Sequence, residues 1–413
     1  MNQTSLLQVN LVWVLFGLTY LGLAVGKVPG LRLDRAAIAF IGAAAMLASG
    51  VLDLREAARA VDYETIVLLF GMMVLVAYLR MSGFFAMATD RIASRFSGPR
   101  SLLAVIIVLT GVLSAFLVND VVCVALTPLV LALCRRLRRP PIPYLVGLAT
   151  ASNIGSVATI TGNPQNMMIG SLSGITYLRF AARLAPVALV GLALDYLVVL
   201  AVYRKVLRMT EAASPLVQAR PRVHRGLLIR SVTVTVLTVA LFFAGLPVAV
   251  VALVSAAILM LDRVRPEKVY RAIDWPLLVM FAGLFVVVHA FEANVVRAWD
   301  PGRWQGLRDS PVLMVSGLSA LLSNLVSNVP AVLLFRPLMA LMVQKEQAWL
   351  ALAMSSTLAG NLTILGSVAN LIVVENARRS GTELGFIEYL KVGIPLTVLT
   401  MFIGIAWLMF TCY

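Results

Sequence analysis

Apolar runs of 17 to 25 residues recur along this chain from Leu11 almost to its last residues. A bilayer core about 30 Å thick is crossed by about 20 residues of helix, and without water only helices and closed barrels satisfy their own backbone polar groups. The runs therefore predict a bundle of membrane helices. Composition supports this, because 61% of the 413 residues are hydrophobic and only 13% are charged. Such a chain has too much apolar surface for a soluble enzyme. Its two histidines, His224 and His289, lie beside no cluster of carboxylates, so no catalytic constellation is expected. Cys123, Cys134 and Cys412 have neither paired spacing nor histidine neighbours, which argues against a disulfide framework and against a resident metal or other cofactor.

Spans are expected near 10–26, 36–52, 64–82, 143–172, 183–203, 226–245, 247–262, 275–293, 348–376 and 387–412. The first follows no basic residue, so it is expected to be retained rather than cleaved as a signal peptide. Segments 101–137 and 311–344 differ from the rest, each being two apolar arms that meet at a polar centre containing Asn. They are expected to be re-entrant hairpins, and full crossings would leave the loop assignments unchanged. The fold class expected is all-α and polytopic, with about ten transmembrane helices and two such hairpins.

The net charge of +15 belongs to topology rather than to nucleic acid, since no basic stretch forms a separate module. On this layout 25 Lys and Arg fall in the loops of one side and 8 on the other, with Arg336 inside a hairpin arm. The positive-inside rule places the richer side in the cytoplasm and both termini outside, and the location expected is the cell (inner) membrane.

The two halves resemble each other. Ala60-Val61-Asp62-Tyr63 leading to Gly71 matches Ala272-Ile273-Asp274-Trp275 leading to Gly283, 212 residues later. Val118-Asn119-Asp120 matches Ser327-Asn328-Val329, and Thr159-Ile160-Thr161-Gly162 with Asn166 matches Thr363-Ile364-Leu365-Gly366 with Asn370. The expected organisation is a first repeat over 1–207, with hairpin 101–137 and broken helix 143–172. A cytoplasmic linker covers 208–225, and a second repeat covers 226–413, with hairpin 311–344 and broken helix 348–376. An odd number of crossings per copy inverts the second copy in the membrane, as in secondary transporters, whose substrate sits where the repeats meet.

Gly and Pro inside an apolar span free backbone groups that need a cavity or a ligand. The breaks at Thr161-Gly162-Asn163-Pro164-Gln165-Asn166 and Gly360-Asn361 to Asn370, with the tips at Asn119-Asp120 and Asn328-Val329-Pro330, point to one central site. Its candidate solute ligands are Asn119, Asn163, Asn166, Asn328, Asn361, Asn370, Thr161 and Thr363. Asp120 is the candidate for coupling to a proton or sodium ion, or for accepting from the substrate, because its counterpart is Val329 and a carboxylate at depth is expensive to keep. Arg336, Cys123 and Glu375 are secondary candidates, and Asp195 is a weaker one.

The run Phe116-Leu117-Val118-Asn119-Asp120 with Leu126-Thr127-Pro128 resembles the Asn-Asp hairpin of the arsenite permease and NhaD-type branch of the ion transporter superfamily. Ser327-Asn328-Val329-Pro330 is similar to that branch's second hairpin, and Gly162-Asn163-Pro164-Gln165-Asn166 to a motif of its bacterial permeases. The resemblance runs from about Val61 to the C-terminus. It implies inverted repeats, alternating access, and arsenite or antimonite efflux driven by proton entry or, with a partner ATPase, by ATP. As an alternative it admits a sodium- or proton-coupled anion permease or a sodium/proton antiporter. The dicarboxylate branch carries Ser-Asn-Thr at both tips, which this chain does not.

Overall fold

The computed structural model describes residues 3–25, 33–96, 98–208, 223–296, 310–339 and 342–411. Most of the expected linker 208–225, Cys412, and the segment holding Arg297, Arg303 and Arg308 lie outside the described residues. The described residues form helices joined by turns and short loops, with no strand among them.

The same series of elements occurs twice. Gln3–Val25, Arg35–Ala48, Leu54–Ala60 and Tyr63–Ser82 are answered by Arg225–Phe243, Val248–Met260, Pro266–Tyr270 and Trp275–Asn294. A helical hairpin follows in each half, Pro99–Phe116 with Asn119–Arg136, then Pro311–Val326 with Asn328–Met339. Next comes a broken helix: Ile142–Ser156, a 3-10 turn Ile160–Gly162 and Pro164–Ser173 in the first half. The second has Lys345–Leu358, turns at Ala359–Asn361 and Ile364–Gly366, and Val368–Arg379. Tyr177–Val202 and Phe386–Thr411 close the halves.

Among the described residues seven helices are long and apolar enough to cross a membrane by themselves, one of them the hairpin arm Pro99–Phe116. Four expected spans miss that criterion for two physical reasons. Arg35–Ala48 and Val248–Met260 are repeat-related helices of only 14 and 13 residues. The two broken helices reach their length only as the sum of their pieces. The amphipathic helix Phe84–Arg95, after Gly83 in the left-handed region (φ 86°), was not anticipated, because its residues do not form an apolar run.

The copies are inverted and interleaved. Arg179 beside the end of the first broken helix pairs with Glu346 at the start of the second, at 2.6 Å. At the opposite end, Arg135 of the first hairpin donates to the Ser380 carbonyl just past the end of the second broken helix. The two broken helices thus run antiparallel past each other. Arg35–Ala48 packs on Trp275–Asn294 of the other half, and Val248–Met260 packs on Tyr63–Ser82. The crossings are close: a Cβ on Gly71 would lie 2.7 Å from the Ala252 carbonyl carbon, and one on Gly283 would lie 2.7 Å from the Ala39 oxygen. Only a glycine permits such backbone approach. Outward faces such as Leu18, Leu189, Leu237, Ile387 and Phe402 are exposed and apolar, as a lipid-facing surface requires.

Candidate functional site

Both broken helices lose their ladder at equivalent places, and each repairs it with an asparagine. The Asn166 amide donates to the carbonyls of Ser156 (3.0 Å) and Thr159 (3.1 Å). The Asn370 amide donates to those of Gly360 (2.8 Å) and Thr363 (3.1 Å), the same positions 204 residues later. The carbonyls freed by the breaks are therefore answered within the protein, as membrane burial demands. Asn163 and Ser367, again 204 apart, cap the helices that resume the two spans, accepting from the Asn166 and Ala369 backbone N–H groups.

Each cap also reaches across to the other half. Asn163 donates to the Thr357 hydroxyl at 3.2 Å, and Ser367 donates to Asn153 Oδ1 at 2.9 Å. Asn153 is the hub of this crossing. Its Nδ2 donates to Asn361 Oδ1 (2.8 Å) and Asn370 Oδ1 (3.1 Å), while its Oδ1 accepts from Ser367 and from Asn119 Nδ2 (3.2 Å) at the first hairpin tip. The second tip joins from the other side. With the Asn328 nitrogen turned toward the carbonyls of Ser356 (3.1 Å) and Gly366 (3.2 Å), its oxygen accepts from Gln165 Nε2 at 3.2 Å. Ser327 at this tip has φ 76°, a left-handed-side backbone that a non-glycine adopts only under strain from its surroundings.

Both tips and both breaks wall a single cavity of about 590 Å³. Its polar lining is Asn119, Asp120, Gln165, Ser327, Asn328 and Ser367, with Asp34, Arg35 and Asp274 toward its mouth. Asp34 and Asp274 also cap their own helices.

The expected solute ligands thus divide. Asn119 and Asn328 face the cavity beside Asp120. Asn163, Asn166, Asn361 and Asn370 form the scaffold behind it. Thr161 turns to Tyr177, 2.8 Å away, and Thr363 enters through its carbonyl. Neither lines the cavity. Cys123 is buried in a hairpin arm and Glu375 pairs at the surface with Arg378 (2.7 Å) and Arg379 (3.0 Å). Arg336 is half-buried in its arm, away from the cavity. Sequence reasoning placed Gln165 and Ser367 in the breaks without naming them as ligands, and did not single out Asn153, Thr357, Asp34, Arg35 or Asp274. A signal existed for Asn153, since Thr150-Ala151-Ser152-Asn153 is a small, polar stretch inside an apolar span.

A protein-family model described as citrate transporter matches residues 12–359 and 303–412. The chain belongs to the citrate transporter family. This agrees with the likeness of its tip motifs to the ion transporter superfamily, and the protein is a multi-pass membrane transporter. The rice (Oryza sativa subsp. japonica) silicon efflux transporter LSI3 is 32% identical, with 98% of each chain covered. The putative transporter arsB of Dictyostelium discoideum is 26% identical over 91% of this chain and 87% of its own. The inner membrane protein YbiR of Escherichia coli strain K12 is 28% identical over 77% of this chain and 81% of its own. In fold the chain is similar to the Alcanivorax borkumensis YdaH transporter, with a TM-score of 0.63 and 17% identity over 99% of this chain and 97% of that one.

Proposed function

We propose that this transporter expels a small, neutral, hydroxylated solute, arsenite or antimonite, in exchange for protons, with Asp120 as the proton carrier. The observation that carries the reading is the chemistry of the cavity wall. Asn119, Gln165, Ser327, Asn328 and Ser367 offer donors and acceptors, and three aspartates face one arginine. A neutral trihydroxy solute is matched by such amides and hydroxyls. A polycarboxylate such as citrate meets a wall whose acidic groups outnumber its basic ones, which disfavours it. The relatives named for silicon efflux and as arsB support the reading, since dissolved silicon is also a neutral hydroxylated acid. On the charge asymmetry of the loops the cavity opens to the cytoplasm, the loading side for an exporter.

The test is flux in proteoliposomes under an imposed pH gradient. Arsenite should move against its own gradient, and citrate should neither move nor compete. Citrate transport without arsenite transport would overturn the reading.

A further inference from the structure

Asp195 lies fully buried in Tyr177–Val202, on no wall of the cavity. Among the described residues its carboxylate meets no cation, and its Oδ2 has no hydrogen-bond partner. Of the groups that titrate, Tyr389 of Phe386–Thr411 is its electrostatic neighbour. The other packed elements carry theirs away from it: Tyr144 at the start of Ile142–Ser156, Arg100 at the start of Pro99–Phe116, Arg225 and Arg230 early in Arg225–Phe243, and Lys345 and Glu346 at the start of Lys345–Leu358. An ionised carboxylate so placed is costly unless it is compensated.

Its one partner supplies a switch. Thr150 Oγ1 stands 2.7 Å from Asp195 Oδ1 and 2.8 Å from the Val146 carbonyl. A hydroxyl has one hydrogen and two lone pairs. When Asp195 is ionised, the hydroxyl donates to it. When Asp195 is protonated, the acid donates to Thr150 and the hydroxyl turns to Val146. Both protonation states are therefore hydrogen-bonded without movement of the backbone.

The same threonine is tied to the cavity. Asn361 Nδ2 donates to the Thr150 carbonyl at 3.3 Å and its Oδ1 accepts from Asn153, whose own oxygen accepts from Asn119 at the cavity wall. We propose that Asp195 is a second proton-binding site, held by the Thr150 hydroxyl and linked to the solute cavity through Asn361, Asn153 and Asn119. Proton binding there is independent of the transported solute. Its use as a second coupling group rests on the proton-exchange reading above.

Infrared difference spectra of the full chain in lipid, recorded between acidic and alkaline pH, test the binding without any solute. A protonated-acid carbonyl band should titrate, persist in Asp120→Asn and vanish in Asp195→Asn. In Thr150→Val it should shift to higher frequency, because the acid loses its acceptor. Should Asp195→Asn not fold, that shift alone decides. Wild-type spectra unchanged by both Asp195→Asn and Thr150→Val would overturn the proposal. Arsenite flux is read separately in the same lipid: Asp195→Asn should lose gradient-driven accumulation and keep arsenite exchange at equal pH. Loss of the band with accumulation intact would remove Asp195 from coupling while leaving the proton site standing.

Discussion

Asn153 Nδ2 lies 2.8 Å from Asn361 Oδ1, joining two broken helices that belong to opposite halves of the chain. Through its four hydrogen bonds this one amide holds the first hairpin tip, the second break and the cap of the second resumed helix in a common frame. Replacing it with alanine should leave several of those buried groups unpaired, at about 1–3 kcal/mol each. Thermal unfolding in detergent should show Asn153→Ala well below wild type, and Asn153→Asp, which loses both donors, also destabilised.

The paired crossings make a symmetric prediction. Gly71→Val and Gly283→Val should each overpack a backbone contact in the opposite half and cost about 1–3 kcal/mol or more. Gly17→Ala and Gly317→Ala, where nothing lies within 4 Å, should behave as wild type. The yield of monodisperse protein and its unfolding temperature read both pairs.

Ser327 holds its unusual backbone at the tip where its repeat counterpart, Val118, has an ordinary φ of −58°. Ser327→Gly should relieve strain of about 1–3 kcal/mol, reduced by the added freedom of the unfolded chain. The unfolding temperature should rise, while transport should fall if the strain positions Asn328.

Val368 is exposed on the cavity wall, whereas the native Cys123 and Cys134 are buried. In Val368→Cys, made on a Cys412→Ser background because Cys412 belongs to the terminus expected outside, a membrane-impermeant thiol reagent should label inside-out vesicles and spare right-side-out cells. The reverse pattern would invert the orientation assigned from loop charge.

Much of this architecture was legible because the bilayer penalises error: an apolar run must cross, and a polar break inside one must be answered. Hence the hairpins near 101–137 and 311–344 and the breaks near Gly162 and Gly366 appear close to where their residues place them. Which asparagine faces the cavity was not legible. Asn119 and Asn166 look alike in sequence, yet one lines the cavity while the other closes its own broken ladder. That difference depends on the rotation of a short helix after a 3-10 turn, which no apolar period records. Asp274 was overlooked as a wall residue for a related reason, since capping and lining are separate duties of one side chain at a helix start.

The central claim is that solute leaves as protons enter through Asp120. Its most direct test is simultaneous recording of arsenite and of internal pH in proteoliposomes carrying wild type or Asp120→Asn. Arsenite movement in wild type should be matched by opposite proton movement, and the variant should lose both under a pH gradient. Full gradient-driven arsenite transport by Asp120→Asn, or arsenite flux with no accompanying proton flux in wild type, would contradict the account.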